Sequence, residues 1–205
     1  GNGQRGYNKE DLPAGDEKRK QYELGKELLL KFGYHEIGMD HFALETDSLY
    51  QAMEKGSLHR NFMGYTSFNT HLMVGLGASS ISDSWFGFAQ NVKNVEEYQN
   101  LVENDIIPLY RGHILTDEDQ IIRRHILNLM CQFKTTWTAF KLYLPQMDDI
   151  LDRLKELEED GIVTVKENSL TITEKGRPFV RNVCMAFDLP LQKKKPNTRL
   201  FSMTV

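Results

Sequence analysis

The chain has 205 residues, 40 % of them hydrophobic and 26 % charged, with a formal net charge of −4. That is ordinary for a globular protein able to bury the core of one large domain or two small ones. The charge disfavours a general nucleic-acid or anionic-membrane surface, no apolar run approaches the ~20 residues needed to span a bilayer, and the polar N-terminus carries no visible signal peptide.

Residues 1–14 are polar and read as a flexible start. Gly1-Asn2-Gly3, without Met, resembles a tag remnant. From Asp16 to Lys31 the positions Tyr22, Leu24, Leu28 and Leu29 suit a helix, which Gly33 would end. Tyr34 to Met39 reads as a short strand. A helix running straight into a strand suggests half of a parallel βαβ unit, with Asp40-His41 just past the strand's end. Thr46-Asp47 can cap a helix to about Lys55. Leu58 to Phe68 reads as extended. Leu72 to Ser82 is apolar and Gly-rich, the character of a buried strand leading to a loop. Trp85 to Gln90 reads as a strand, Val95 to Glu103 as a helix, and Ile106 to Tyr110 as a connector.

The pattern changes near Arg111. Thr116 offers an N-cap to a helix with Ile121, Ile122, Ile126, Leu129, Met130 and Phe133 at helical spacing. A second helix spans about Gln146 to Asp160 and stops at Gly161. Ile162 to Val165 and Leu170 to Ile172 flank a hairpin turn. A last helix is expected from Thr173 to Phe187, weakened or started by Pro178. Helix, helix, hairpin and helix suggest a winged-helix-like module at 112–188, followed by a Lys-rich tail or return strand at 189–205.

Such a module raises DNA binding, but its groove-reading helix argues against it. Asp148, Asp149, Asp152, Glu156, Glu158, Glu159 and Asp160 outnumber Arg153 and Lys155 there, so phosphates would be repelled. The two cysteines, Cys131 and Cys184, are too few for a disulfide framework. They fit a reduced, cytoplasmic protein with buried thiols. The six histidines show no metal-ligand spacing, so no zinc or iron site of this chain alone is expected. Gly75-Leu76-Gly77 lacks the rest of a dinucleotide fingerprint. By itself it reads as tight packing or as close backbone approach by a ligand.

Three blocks occur in order: Gly38-Met39-Asp40-His41-Phe42-Ala43, His59-Arg60-Asn61-Phe62-Met63-Gly64-Tyr65-Thr66, and Gly75-Leu76-Gly77-Ala78-Ser79-Ser80-Ile81-Ser82. With Lys175-Gly176-Arg177 and Arg181 to Asp188, they closely resemble the C-terminal portion of the oxygen-independent coproporphyrinogen III oxidases. These are radical S-adenosylmethionine (SAM) enzymes of haem synthesis. The resemblance covers roughly Leu12 to Val205.

The resemblance implies an α/β (α+β) chain. Residues 15–111 would form the C-terminal part of an incomplete radical-SAM β/α barrel, and 112–188 the mostly helical, winged-helix-like C-terminal domain. The parent enzyme would use SAM and a [4Fe–4S] cluster held by three closely spaced cysteines. It would convert two propionates of coproporphyrinogen III to vinyls, drawing on an electron donor. Here the cluster cysteines are absent, so this chain alone is expected to bind no cluster and to be inactive. Its exposed strand edges would favour a non-native dimer.

By the same resemblance, Phe62 and Ile81 fall on SAM-contacting positions. Met63 replaces a Gln, and a thioether cannot reproduce an amide's hydrogen bonds. Arg60 is a candidate for substrate propionates or an ordinary ion-paired Arg. Asp40 and His41 face the active-site side and are candidates for binding substrate, with no catalytic step assigned. The alternatives are a radical-SAM haem chaperone, which lacks the His59–Thr66 block in this form, and a non-catalytic interaction module.

Overall fold

The computed structural model describes residues 6, 12–13, 15–138 and 142–189. Most of the expected flexible start, and the tail beyond Leu189, lie outside them. Helix α1 (Asp16–Lys31) forms as its pattern predicts and ends before Gly33, whose φ of 82° suits a residue without Cβ. Lys26 Nζ reaches Glu36 at 2.6 Å and ties α1 to strand β1 (Tyr34–Gly38).

The partner of β1 differs from the expected one. It pairs antiparallel with β2 (His41–Leu44), so this is a hairpin and not half of a parallel βαβ unit. The turn explains it. Met39, at φ 54°, and the irregular register at Gly38 send the chain straight back. Asp40 therefore sits in a hairpin turn, and His41 opens β2. Among the described residues every strand ladder is antiparallel.

Helix α2 (Ser48–Glu54) starts at Asp47, whose side chain accepts from Leu49 N–H. The extended stretch becomes a hairpin of β3 (His59–Asn61) and β4 (Gly64–Thr66). A four-stranded sheet follows, in the order β5 (Leu72–Met73), β6 (Ile81–Ser84), β7 (Gly87–Asn91) and β8 (Leu109–Ile114). Helix α3 (Val95–Glu103) lies between its last two strands.

The buried strand expected from Leu72 is not formed. β5 has two residues, and Leu72, Val74 and Leu76 are exposed. A loop replaces it. Asn91 Nδ2 donates to the Gly75 and Gly77 carbonyls at 3.1 and 2.9 Å, and Gly77 N–H donates to Tyr98 Oη at 3.0 Å. Trp85 and Phe86 form a turn, and the expected connector runs into β8.

The main core lies beyond β8. α4 (Asp117–Gln132) opens with a full capping box between Thr116 and Asp119. α5 (Met147–Glu159) buries Ile150 and Leu154. Strands β9 (Lys134–Thr136), β10 (Val163–Lys166) and β11 (Ser169–Ile172) form a sheet in the order β10-β11-β9. The expected last helix is shorter: a 3-10 turn at Arg177–Phe179 leads into α6 (Val180–Met185). Pro178 has no N–H to donate, so it suits that first turn.

His125 is fully buried against this core, stacked on Phe187 at 5.0 Å. Its Nε2 lies 2.8 Å from the Leu142 carbonyl and so must carry the proton. Nδ1 then accepts from Thr135 Oγ1 at 2.8 Å. Burial lowers the imidazole pKa below 6.5, and the Leu142 bond opposes only part of that. The unfolded chain therefore takes up a proton that the folded chain refuses. The stabilisation is complete above the unfolded pKa and is lost as pH falls through 6.5, by at most about 1.4 kcal/mol per pH unit. Urea midpoints between pH 7.5 and 5 should show this slope, and His125→Leu should lose most of it.

Candidate functional site

The β3–β4 hairpin presents the site residues. Its turn is closed by Asn61 Oδ1, which accepts from Met63 N–H at 2.8 Å, and by Gly64 at φ 131°. Phe62 and Met63 thus occupy the tip. Phe62 meets Phe88 of β7 edge-on, with ring centroids 5.1 Å apart. Met63 is 88 % exposed. Arg60 and Tyr65 are cross-strand partners, and the guanidinium lies 4.8 Å above the Tyr65 ring. Arg60 Nη1 is buried with no hydrogen-bond partner. Buried donors are nearly always paired, so such an atom points to a ligand or to water.

Two adjoining cavities of about 510 and 330 Å³ form a groove between this hairpin and helices α4 and α6. Arg60, Asn61, Phe62, Ile126, Met130 and Asp188 line both. Arg181 and Asn182 line the larger cavity, Asp83 and Arg123 the smaller. The groove is mostly apolar with a few polar groups, the usual character of a small-molecule site.

Arg123, Asp83 and Tyr65 were not singled out by sequence reasoning. Arg123 pairs with Asp83 at 2.8 Å, donates to the Ser84 carbonyl at 2.7 Å, and lies 5.1 Å from the Phe88 ring centroid. A signal existed: Arg123 shares a helical stripe with Ile126 and Met130, a cation where an apolar residue is expected. Nearby, burial lowers the His59 pKa, and Arg123 adds to the effect.

The remaining candidates sit apart from the groove. Asp40 and His41 line neither cavity. His41 Nδ1 is 3.1 Å from Asp40 Oδ1, and the His41 ring meets the Tyr65 edge at 5.1 Å. Ile81 also lines neither cavity. It pairs with Gln90, two residues from the Asp83–Phe88 pair, so it shares the sheet face that Phe62 touches.

A [4Fe–4S] ligand set does not fit these residues. Burial pushes the Cys131 and Cys184 thiols up to about 12, far from the thiolate form that ligates iron. Among the described residues no three His, Cys, Asp or Glu side chains gather as a metal site. An adenine or sulfonium group could stack on the exposed Phe62 ring. Met63 offers no amide beside it.

No family model matches the chain. Its structure is similar to a solved radical SAM enzyme from Escherichia coli, with a TM-score of 0.82 and 37 % identity, covering 90 % of this chain and 44 % of that one. That enzyme is coproporphyrinogen III oxidase, and the match falls on its C-terminal part. The oxygen-independent coproporphyrinogen III oxidases of Salmonella typhimurium and Escherichia coli K12 are each 36 % identical over 90 % of the chain. That of Pseudomonas aeruginosa is 35 % identical over 90 %. The chain spans about 41 % of the length of these relatives.

Proposed function

We propose that this chain works as the C-terminal part of an oxygen-independent coproporphyrinogen III oxidase in the cytoplasm. Its parent would oxidatively decarboxylate two propionates of coproporphyrinogen III to vinyls, giving protoporphyrinogen IX. The observation that carries this reading is the likeness to the Escherichia coli enzyme at a TM-score of 0.82 over 90 % of the chain. The groove agrees with it. Phe62, Ile126 and Met130 offer apolar walls to pyrrole rings, and Arg60, which lines both cavities, offers its guanidinium to a propionate.

SAM, working with a cluster and an electron donor from outside this chain, supplies the oxidising chemistry when bound. Phe62, Met63 and Ile81 are the proposed SAM-facing residues. The chain's own part is to bind the substrate, orient it and keep water from it. By itself it should not turn over. Residues 15–111 would close the incomplete barrel. The α4–α5 pair with strand order β10-β11-β9 supports a winged-helix-like module at 112–188. No helix among the described residues is long and apolar enough to cross a membrane.

The test is anaerobic iron–sulfur reconstitution of the longest native polypeptide containing this segment, followed by turnover with SAM and reductant. Protoporphyrinogen is the expected product. Cluster assembly and SAM cleavage without decarboxylation would favour haem transfer instead. Arg60→Ala should lower kcat/KM by roughly 10- to 100-fold, the usual worth of a charge-assisted hydrogen bond.

A further inference from the structure

An arginine used to hold a carboxylate must be aimed, because its side chain has many rotamers to lose. Arg60 Nη1 has no hydrogen-bond partner, so packing must help to fix that end of the guanidinium. The contact the structure provides is the Tyr65 ring, 4.8 Å below it. That ring is itself held from several sides.

Tyr65 Oη donates to the Met130 carbonyl on α4 at 2.9 Å. The β1–β2 hairpin packs beside it. His41 meets the ring edge at 5.1 Å, and Asp40 meets His41 at 3.1 Å. At Gly38 the packing is so close that a Cβ would collide with Tyr65 Oη, so only glycine leaves the phenol its place. Cross-strand pairing with Arg60 completes the set. Burial also pushes the phenol above its usual range, so it stays a neutral donor to Met130.

We propose that Tyr65 is a positioning residue that aims the Arg60 guanidinium into the groove, with His41 and Asp40 bracing its ring. This gives the Asp40–His41 pair a role without placing it in contact with substrate. The inference rests on the proposed carboxylate site, and it deepens that site by naming what orients its cation.

The test has two readouts on the intact chain. The first needs no ligand: the NMR signals of the Arg60 guanidinium. In the native chain its Nε–Hε proton should be shifted upfield by the ring beneath it. Tyr65→Leu should abolish that shift, and Tyr65→Phe should broaden the signal by freeing the ring from Met130. An unchanged Arg60 signal in both variants would overturn the proposal. If Tyr65→Phe does not fold, His41→Ala serves, with broadening expected and an unchanged line counting against the idea.

The second readout is quenching of Trp85 and Trp137 fluorescence by coproporphyrin III as the free acid and as its tetramethyl ester. Tyr65→Phe should weaken the acid roughly fivefold and leave the ester unchanged. In an Arg60→Ala background it should add no further loss, because the two residues act as one unit. Equal losses for acid and ester, or additive losses, would make Tyr65 merely structural. If Arg60→Ala itself leaves acid binding intact, the carboxylate-site reading fails. The guanidinium signals still decide the positioning claim.

Discussion

Replacing Arg123 by Met should lower the unfolding free energy by about 3–5 kcal/mol, as expected when one partner of a buried ion pair is removed. The Arg123 and Asp83 side chains are 15 % and 10 % exposed, so neither charge can fall back on water. With Arg123 gone, Asp83 keeps its carboxylate against α4 without its cation, and the Ser84 carbonyl loses its donor. The decisive comparison is the double variant Arg123→Met with Asp83→Leu. Removing both charges removes both desolvation costs, so most of the stability should return. Urea titrations of the two single variants and the double variant measure this directly. A loss below about 1 kcal/mol in Arg123→Met would mean the pair behaves like an exposed one. The consequence for the site runs through Phe88. Arg123 packs on the ring that supports Phe62, so loosening it should also free the β3–β4 tip.

Residues 112–188 were largely legible because their signals are local. The Thr116–Asp119 capping box, the apolar stripe of α4, Gly161 and the hairpin of β10 and β11 all act within a few residues. The first half was harder. A five-residue strand such as Tyr34–Gly38 reads the same whether its neighbour is parallel or antiparallel. The turn at Met39 decides, and a positive φ at a Met has no clear sequence signature. The apolar run from Leu72 looked buried because pattern reveals which residues are apolar, not what covers them. In the site, Arg60 and Phe62 were legible through a shared block of residues. Tyr65 and Arg123 were not, since their meaning comes from partners 65 and 40 positions away.

Gly176→Ala should cost about 3 kcal/mol, at the upper end of what overpacking does in a tight site. The backbone there is ordinary, with φ of −82°, so alanine meets no conformational penalty and the loss would be steric. A Cβ would collide with the Ile162 carbonyl oxygen and lie 2.9 Å from its carbon and 3.0 Å from Ile172 Cγ2. The carbonyl cannot simply move away. It accepts from Thr173 N–H at 3.0 Å and from Thr173 Oγ1 at 3.1 Å, and these bonds close the turn leading into α6. Relief would therefore displace α6, which carries Cys184 and Met185 on the groove wall. Gly161→Ala separates the two causes of glycine preference. Gly161 has φ of 69° with open space around it, so alanine there should cost only the roughly 1–2 kcal/mol of a left-handed backbone. Thermal and urea unfolding should thus rank Gly176→Ala as clearly the worse, with weaker coproporphyrin III binding for that variant alone. Equal losses at the two positions would show that the Ile162 contact yields easily, and that α6 does not depend on it for its place beside Arg60.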